Sequence, residues 1–535
     1  MKEYIVVAND EPSIDQLHLE LTNDTTNNNS INGLTIPNRP VEVANPRLAN
    51  PRITHYFLTD EEAKALSNDT RVTAINPKPN KNLLTPHTVE PKFLKKTQSP
   101  VSFNGHKGLF NRVGGIAEYS INWGLRRTSL KMAENKPEGV YNYDVDGSGV
   151  DIIILDDGLQ SDHPEFYNES GRSRVHEIDW YKWTGLPGSM PPRHYRLTGF
   201  FQGYHGTHVA AIAAGKTFGY AKNSRIYYMR LFNASDDQII DISDAFDLIR
   251  VWHTKKPLDK ETGSRRPTVV NMSFGYSGLY NNNTSSPQIK SLKYRNEEIQ
   301  NFDTPVNRQE KYGQVSDRHG YRVPSIDIEV EMCEDVGVVF VHSAGNFSHK
   351  IDKVGGKDYD NYYKVSGTWM DDIPEGEPIY YHRGCSPVGK NTIVVSAGSD
   401  VPIQSSGSLK ERIEAYSERG PGCDVVAPGN NIMSASTNRF GTKPYVWMTT
   451  KETSFKVAAL GGTSQAGPQV AGVVALYLSR HPAATPAEVK KWIQTTSVKD
   501  QILTKEIDDE WANLRSLLGG PNLYLYNPFH NGYRD

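Results

Sequence analysis

The chain has 535 residues, 37% of them hydrophobic and 23% charged, which leaves room for one large domain plus a smaller one. A formal net charge of −3 gives no electrostatic support for nucleic-acid binding, and no run of eighteen apolar residues indicates a membrane span. Three scattered cysteines, Cys333, Cys385 and Cys423, make neither a disulfide framework nor a CxxC metal site, and they read as small, partly buried hydrophobes.

At the N-terminus, Tyr4-Ile5-Val6-Val7-Ala8 has a strand pattern. With Glu3 ahead of it, this apolar stretch is too short for a signal-peptide core, so the chain is expected to be cytoplasmic at synthesis. A polar tract over 22–32 reads as a loop, and Ile53-Thr54-His55-Tyr56-Phe57-Leu58 as a second strand. Thr59-Asp60-Glu61-Glu62 carries the capping-box spacing that opens a helix through Leu66. Thr70-Arg71-Val72-Thr73-Ala74-Ile75 predicts another strand, ended by Asn76-Pro77-Lys78-Pro79. Residues 1–79 are therefore expected to form a small α+β domain. Residues 80–116, punctuated by Pro, Lys and Gly, predict a linker.

From Val150 onward, apolar runs at 152–155, 226–229, 269–272, 338–341 and 392–395 alternate with helical patterns. That alternation predicts an α/β fold with a mostly parallel central sheet covered on both faces. Val150-Asp151-Ile152-Ile153-Ile154-Leu155-Asp156-Asp157-Gly158 ends such a strand in two carboxylates, where parallel sheets place their sites; alone, it is also an ordinary acidic turn. His205-Gly206-Thr207-His208 has neither the acid nor the four-residue step of the zinc helices, so no metal is assigned to it. Val269-Val270-Asn271-Met272-Ser273-Phe274-Gly275 and Val338-Val339-Phe340-Val341-His342-Ser343-Ala344-Gly345-Asn346 are two further strands that run into turns. In Gly462-Thr463-Ser464-Gln465-Ala466-Gly467-Pro468, Ser464 stands at the mouth of an apolar helix that continues to Leu478. Unpaired N–H groups there favour developing negative charge, although a serine N-cap is the plain alternative. Pro468 is expected within the first turn, where its missing N–H costs nothing.

Taken together, these strings resemble the motifs of the subtilisin-like serine proteases (subtilases), over roughly residues 117–527, with a tail at 528–535. Asn122-Trp123-Gly124-Leu125-Arg126 is similar to the start of mature domains in that family. The resemblance implies a three-layer subtilisin-like fold and a triad of Asp156, His205 and Ser464, in the Asp–His–Ser chain order of the family. It implies an oxyanion donor at Asn346. It further implies substrate-binding segments at Ser273, Phe274 and Gly275 and at Ser343, Ala344 and Gly345. The N-terminal domain resembles the small propeptide that acts in the family as chaperone and intramolecular inhibitor. A polypeptide substrate follows, and no cofactor is required. Structural calcium is permitted by the resemblance but not supported by the residues: Asp144-Val145-Asp146-Gly147-Ser148-Gly149 lacks the rest of an EF-hand loop, and Lys216-Thr217-Phe218-Gly219-Tyr220 is short for a ligand loop.

Departures from the family pattern are also visible. Ala211, Gly467 and Gln469 replace the usual Gly, Ser and His, none of them at a catalytic position. The Asp156-Asp157-Gly158 pair is similar to the kexin branch, yet residues 482–535 are too few for that branch's extra β-domain. Insertions at about 167–201, 276–323 and 348–381 are expected as loops around the cleft or as surfaces for assembly partners. With the ending Pro521-Asn522-Leu523-Tyr524-Leu525-Tyr526-Asn527, the chain also resembles subtilase-like proteins of tailed bacteriophages. A second reading therefore stands beside the enzyme: a virion or assembly protein on a subtilase scaffold, with latent or no turnover.

Overall fold

A computed structural model of the protein describes residues 1–22, 30–31, 34–35, 39–89, 122–133, 141, 143–195, 203–259, 263–279, 289–300, 311–314, 316, 318–365, 376–405, 407–437, 446–449, 456–504 and 516–530. Strands and helices used below are numbered along the chain. The N-terminal module is an antiparallel sheet of β1 (Lys2–Ala8), β2 (Val43–Asn45), β3 (Ile53–Leu58) and β4 (Val72–Pro77), in the order β2-β3-β1-β4. Side-chain alternation along β1 decides what each face meets. Tyr4, Val6 and Ala8 pack under the module's helices α1 (Glu11–Thr22) and α2 (Asp60–Leu66), whereas Ile5 and Val7 join the core of the large domain.

Helix α2 starts at the expected capping box: Glu62 N–H donates to Thr59 Oγ1 at 3.2 Å, and Thr59 N–H donates to Glu62 Oε2 at 2.8 Å. Helix α1 was not among the expected elements, although Ile14, Leu17 and Leu21 recur at helical spacing. Strand β4 begins two residues later than expected and runs through Pro77. An edge strand can do this, because the missing N–H of a proline then breaks no ladder in a sheet interior. Of the polar tract 22–32, Thr22 closes α1 and Ser30–Ile31 pairs with Leu34–Thr35; residues 23–29 and 32 lie outside the described residues.

Residues 80–89 depart from a plain linker. A 3₁₀ turn at Lys81–Leu83 leads into β5 (Leu84–Pro86), while the remainder of the expected linker lies outside the described residues.

The large domain is built on eight strands. Their order is Val498–Lys499, β13 (Leu523–Tyr524), β12 (Val425–Pro428), β11 (Ile393–Gly398), β10 (Val339–Ser343), β8 (Thr268–Met272), β6 (Asp151–Asp156) and β7 (Arg225–Arg230). All neighbours are parallel except the first pair. Each of the five expected apolar runs is one of these strands. Ile152 and Ile154 face one layer with α3 (Tyr204–Ala214) and α6 (Thr463–Arg480); Ile153 and Leu155 face the other, with α4 (Ile242–Lys255) and α5 (Pro324–Glu334). The arrangement is the three-layer α/β fold that the motifs imply.

The N-terminal module rests on α4 and α5. Arg47, only 4% exposed, donates from Nε to Asp247 at 2.8 Å and from Nη1 and Nη2 to Glu329 at 2.6 and 2.7 Å. Lys78 bridges Glu3 and Asp241 across the same seam at 3.2 and 2.9 Å.

Two of the insertions do not behave as separate loops. Ile289–Tyr294 and Glu297–Ile299 from one pair with Tyr362–Val365 and Ile379–Tyr380 from the other, in a four-stranded sheet with its own core of Leu292, Tyr363, Val365, Ile379 and Tyr381. In the remaining insertion, Trp180 packs edge-on against Trp252 of α4, so this part covers the sheet.

Candidate active site

Strand β6 delivers Asp156 to the C-terminal edge of the sheet, and α3 brings His205 onto it. His205 Nδ1 donates to Asp156 Oδ1 at 2.7 Å, and the N–H of Asp157 donates to the same oxygen at 2.7 Å. Such a close approach requires glycine at 206, because a Cβ there would fall 2.0 Å from the Gly158 carbonyl oxygen. Asp157 does not reach His205; it accepts the Gly206 N–H at 2.8 Å.

Electrostatics follow from burial and from the two carboxylates. Burial pushes His205 down, but the charge and hydrogen bond of Asp156, with the charge of Asp157, hold it above the ordinary imidazole value. Burial, then the neighbouring Asp156 charge, pushes Asp157 up to about 7. Ligand atoms of Asp156, Asp157 and His205 lie within 4.8 Å of one another, a spacing a metal could bridge. The 2.7 Å contact between Nδ1 and Oδ1, however, is that of a shared proton.

Helix α6 positions Ser464 at its second residue, and Gly462 with φ +140° precedes it as the cap. Pro468 is therefore in the second turn, not the first as expected. Its ring leaves the Ser464 carbonyl without the usual helical donor, and Ser273 Oγ supplies one at 3.0 Å. The plain N-cap alternative does not apply, since Gly462, not Ser464, is the N-cap of this helix.

Asn346 is fastened through its oxygen, which accepts from Thr463 N and Oγ1 at 3.0 Å each. Its amide nitrogen is buried without a hydrogen-bond partner among the described residues. His205 Nε2 is likewise without one, and Ser464 Oγ donates to the Ser273 carbonyl at 2.7 Å. The structure thus holds the His205–Asp156 pair formed and the serine hydroxyl turned to Ser273.

The cleft is filled by the chain itself. Strand β5 lies antiparallel to β9 (Phe274–Leu279), with Thr85 opposite Gly275 and Pro86 opposite Phe274. His87 N–H donates to the Ser273 carbonyl at 3.1 Å, and Ser464 N–H donates to the His87 carbonyl at 3.0 Å. On the far side, Val89 and Gly461 exchange N–H···O bonds of 2.6 and 3.1 Å. A Cβ at Gly462 would fall 2.2 Å from the His87 oxygen, so glycine there lets a carbonyl reach the Ser464 N–H. The His87 ring is buried beside Ser343, the first residue of the second expected substrate segment. Gly345 N–H donates to Thr463 Oγ1 at 3.0 Å, and the Ala344 carbonyl faces Cys385 Sγ at 4.0 Å.

The structure thus brings Asp156 to His205 and gathers Ser464, Ser273, Gly275 and Ser343 around residues 84–89, with Asn346, Ala344 and Gly345 tied in through Thr463 and Cys385; Phe274 pairs there by its backbone while its ring packs against Phe232 in the core. His87, Cys385 and Thr463 join them: Thr463 stands inside the serine string but carries no expected role there, and nothing local in the sequence marks His87 or Cys385. Gln469 is structural: it donates to Pro428 O and accepts from Tyr220 Oη. His208 turns away from the cleft to Ala458 O at 3.0 Å. Asp146 accepts from Ser148 N and Asn223 Nδ2 in the turn before β6, and Lys222 Nζ donates to the carbonyls of Lys216 and Thr217.

Residues 147–513 match a family model described as the subtilase family. The chain is 24% identical over 416 residues to subtilisin-like protease 8 of Trichophyton verrucosum, covering 74% of this chain and 61% of that protein. It is 23% identical to cerevisin of Saccharomyces cerevisiae over 75% of this chain and 47% of that one. Among solved structures, a cold-adapted subtilisin-like serine proteinase is similar at 20% identity and a TM-score of 0.42, covering 76% of this chain and 99% of that one. Fervidolysin from Fervidobacterium pennivorans is similar at 16% identity and a TM-score of 0.46, covering 93% and 57%. The chain thus spans about three fifths of the length of the first of these curated relatives.

Proposed function

Because the chain belongs to the subtilase family, we propose that it is a serine endopeptidase made as a self-inhibited precursor, in which residues 84–89 occupy the cleft in the manner of a substrate. Serine is a weak nucleophile near neutral pH and needs a base. His205 fills that role: Asp156 holds its Nδ1–H, which leaves Nε2 free to take the Ser464 proton once the hydroxyl turns from the Ser273 carbonyl. Ser464 Oγ attacks the peptide carbonyl, and the developing oxyanion is met by the Ser464 N–H and Asn346 Nδ2. Asp156 stabilises the imidazolium until His205 protonates the leaving amine. Water then repeats the sequence and releases the acyl group. No cofactor enters these steps.

Substrates are extended polypeptides, held by backbone pairing to β9 as β5 is. Residues 1–79 serve as the inhibitor domain, docked on α4 and α5. The observation that carries the reading is the 3.0 Å bond from Ser464 N–H to the His87 carbonyl, made while Thr85 and Pro86 pair with Gly275 and Phe274. After incubation of the full-length protein, a fluorophosphonate probe is expected to label Ser464 and to leave Ser464→Ala unlabelled. Equally strong labelling of that variant would overturn the nucleophile.

A further inference from the structure

Resting on that reading, we propose that the primary specificity pocket is built for histidine, and that its first substrate is the His87–Thr88 bond of its own chain. The ring of His87 is satisfied at both nitrogens. Nδ1 lies 2.7 Å from Ser343 Oγ and 3.2 Å from the Ser343 carbonyl oxygen. A carbonyl only accepts, so Nδ1 carries the proton. Ser343 Oγ directs its own hydrogen to the Met272 carbonyl at 3.4 Å, which leaves its lone pairs for that Nδ1–H. Nε2 is then the acceptor, and Cys385 Sγ stands 3.9 Å from it, its one thiol hydrogen shared between Nε2 and the Ala344 carbonyl at 4.0 Å. The edges of His342 and Phe347 close the sides at ring separations of 6.0 and 5.9 Å.

The pocket selects against the alternatives. A phenylalanine or leucine would leave the Ser343 carbonyl and hydroxyl without the donor they meet here, and a site that loses such a partner rejects its ligand strongly. An arginine or lysine would bring a charge into a place where, among the described residues, no carboxylate contacts the ring. The nearby carboxyl of Glu418 instead faces the missing Cβ of Gly345, and burial pushes it well above the usual carboxylate range. Burial, then the His342 ring, holds His87 well below the ordinary imidazole value, in keeping with a neutral ring.

Ser464 Oγ bonds to the His87 carbonyl carbon as the His87–Thr88 C–N bond breaks, and the serine proton passes through His205 to the Thr88 nitrogen. Water then frees a His87 carboxylate.

The test follows this cut by mass spectrometry in full-length wild type and in His87→Phe, His87→Arg and His87→Ala. Fluorophosphonate labelling is run alongside each chain. The wild type is expected to cut after residue 87, with each variant at least about tenfold slower at that bond. Ser343→Ala is expected to slow the wild-type chain but not the His87→Phe chain, a difference that a general loss of structure would not produce. Variants that cut at the same bond as fast as wild type, or a Ser464-dependent cut elsewhere, overturn the histidine pocket and leave the endopeptidase standing. A labelled but uncut chain does the same. Absence of both cut and label removes the endopeptidase reading itself.

Discussion

The N-terminal region holds the large domain in two ways that have little in common. At the seam with α4 and α5, the hold is made by side chains particular to this pair of surfaces: Ile5 and Val7 from the odd face of β1, Arg47 between Asp247 and Glu329, and Lys78 between Glu3 and Asp241. In the cleft, residues 84–89 are held by backbone N–H and carbonyl pairing that any extended peptide could make, to which the His87 ring adds its contacts with Ser343. The difference separates anchoring from blocking. One cut after His87 would leave residues 84–87 joined to the anchored sheet and put Thr88 and Val89 on the other fragment. Inhibition would then outlast processing until the seam opened.

Breaking the anchor alone has the larger expected effect. Arg47→Ala takes the cation from buried Glu329, while Asp247 keeps Arg250 and Asn50, and removing one partner of a buried ion pair costs about 3–5 kcal/mol. The N-terminal fragment of the cut variant is therefore expected to bind at least about a hundredfold more weakly than that of wild type. Gel filtration of cut protein should show two species where wild type shows one. Co-elution equal to wild type would mean that the cleft strand, not the seam, holds the fragment.

A smaller change sharpens the cleft side of the comparison. His205 must be neutral to accept the serine proton, so activity should rise with pH through its pKa. The Asp157 charge is one of the groups that raise that pKa. Asp157→Asn keeps an oxygen for the Gly206 N–H but removes the charge, so the acidic limb of kcat/KM is expected to move to lower pH. An unmoved limb, or one shifted upward, would contradict the assigned influence of Asp157.

Features with a local physical signature were legible in the sequence. The apolar runs became β6, β7, β8, β10 and β11, the Thr59–Glu62 box opened α2, and the motif residues from Asp156 to Ser464 meet in one cleft. What escaped depends on distant parts of the chain. Pro468 could be moved into the second turn of α6 only because Ser273, nearly two hundred residues earlier, supplies the replacement donor. Residues 84–89 look like a proline-punctuated connector until β9 offers them an edge to pair with. Cys385 reads as an inert small residue, and only the fold brings it to the His87 ring. Two insertions read as loops form one sheet, because their short strands pair with each other across the sequence.

On this reading, Ser464 and the chain's own residues 84–89 meet as nucleophile and first substrate. Intact-mass measurement of full-length wild type and Ser464→Ala, incubated side by side, tests it most directly. The wild type is expected to divide between His87 and Thr88 while Ser464→Ala stays whole. A wild type that stays whole, or a Ser464→Ala chain that divides at the same bond, would contradict it.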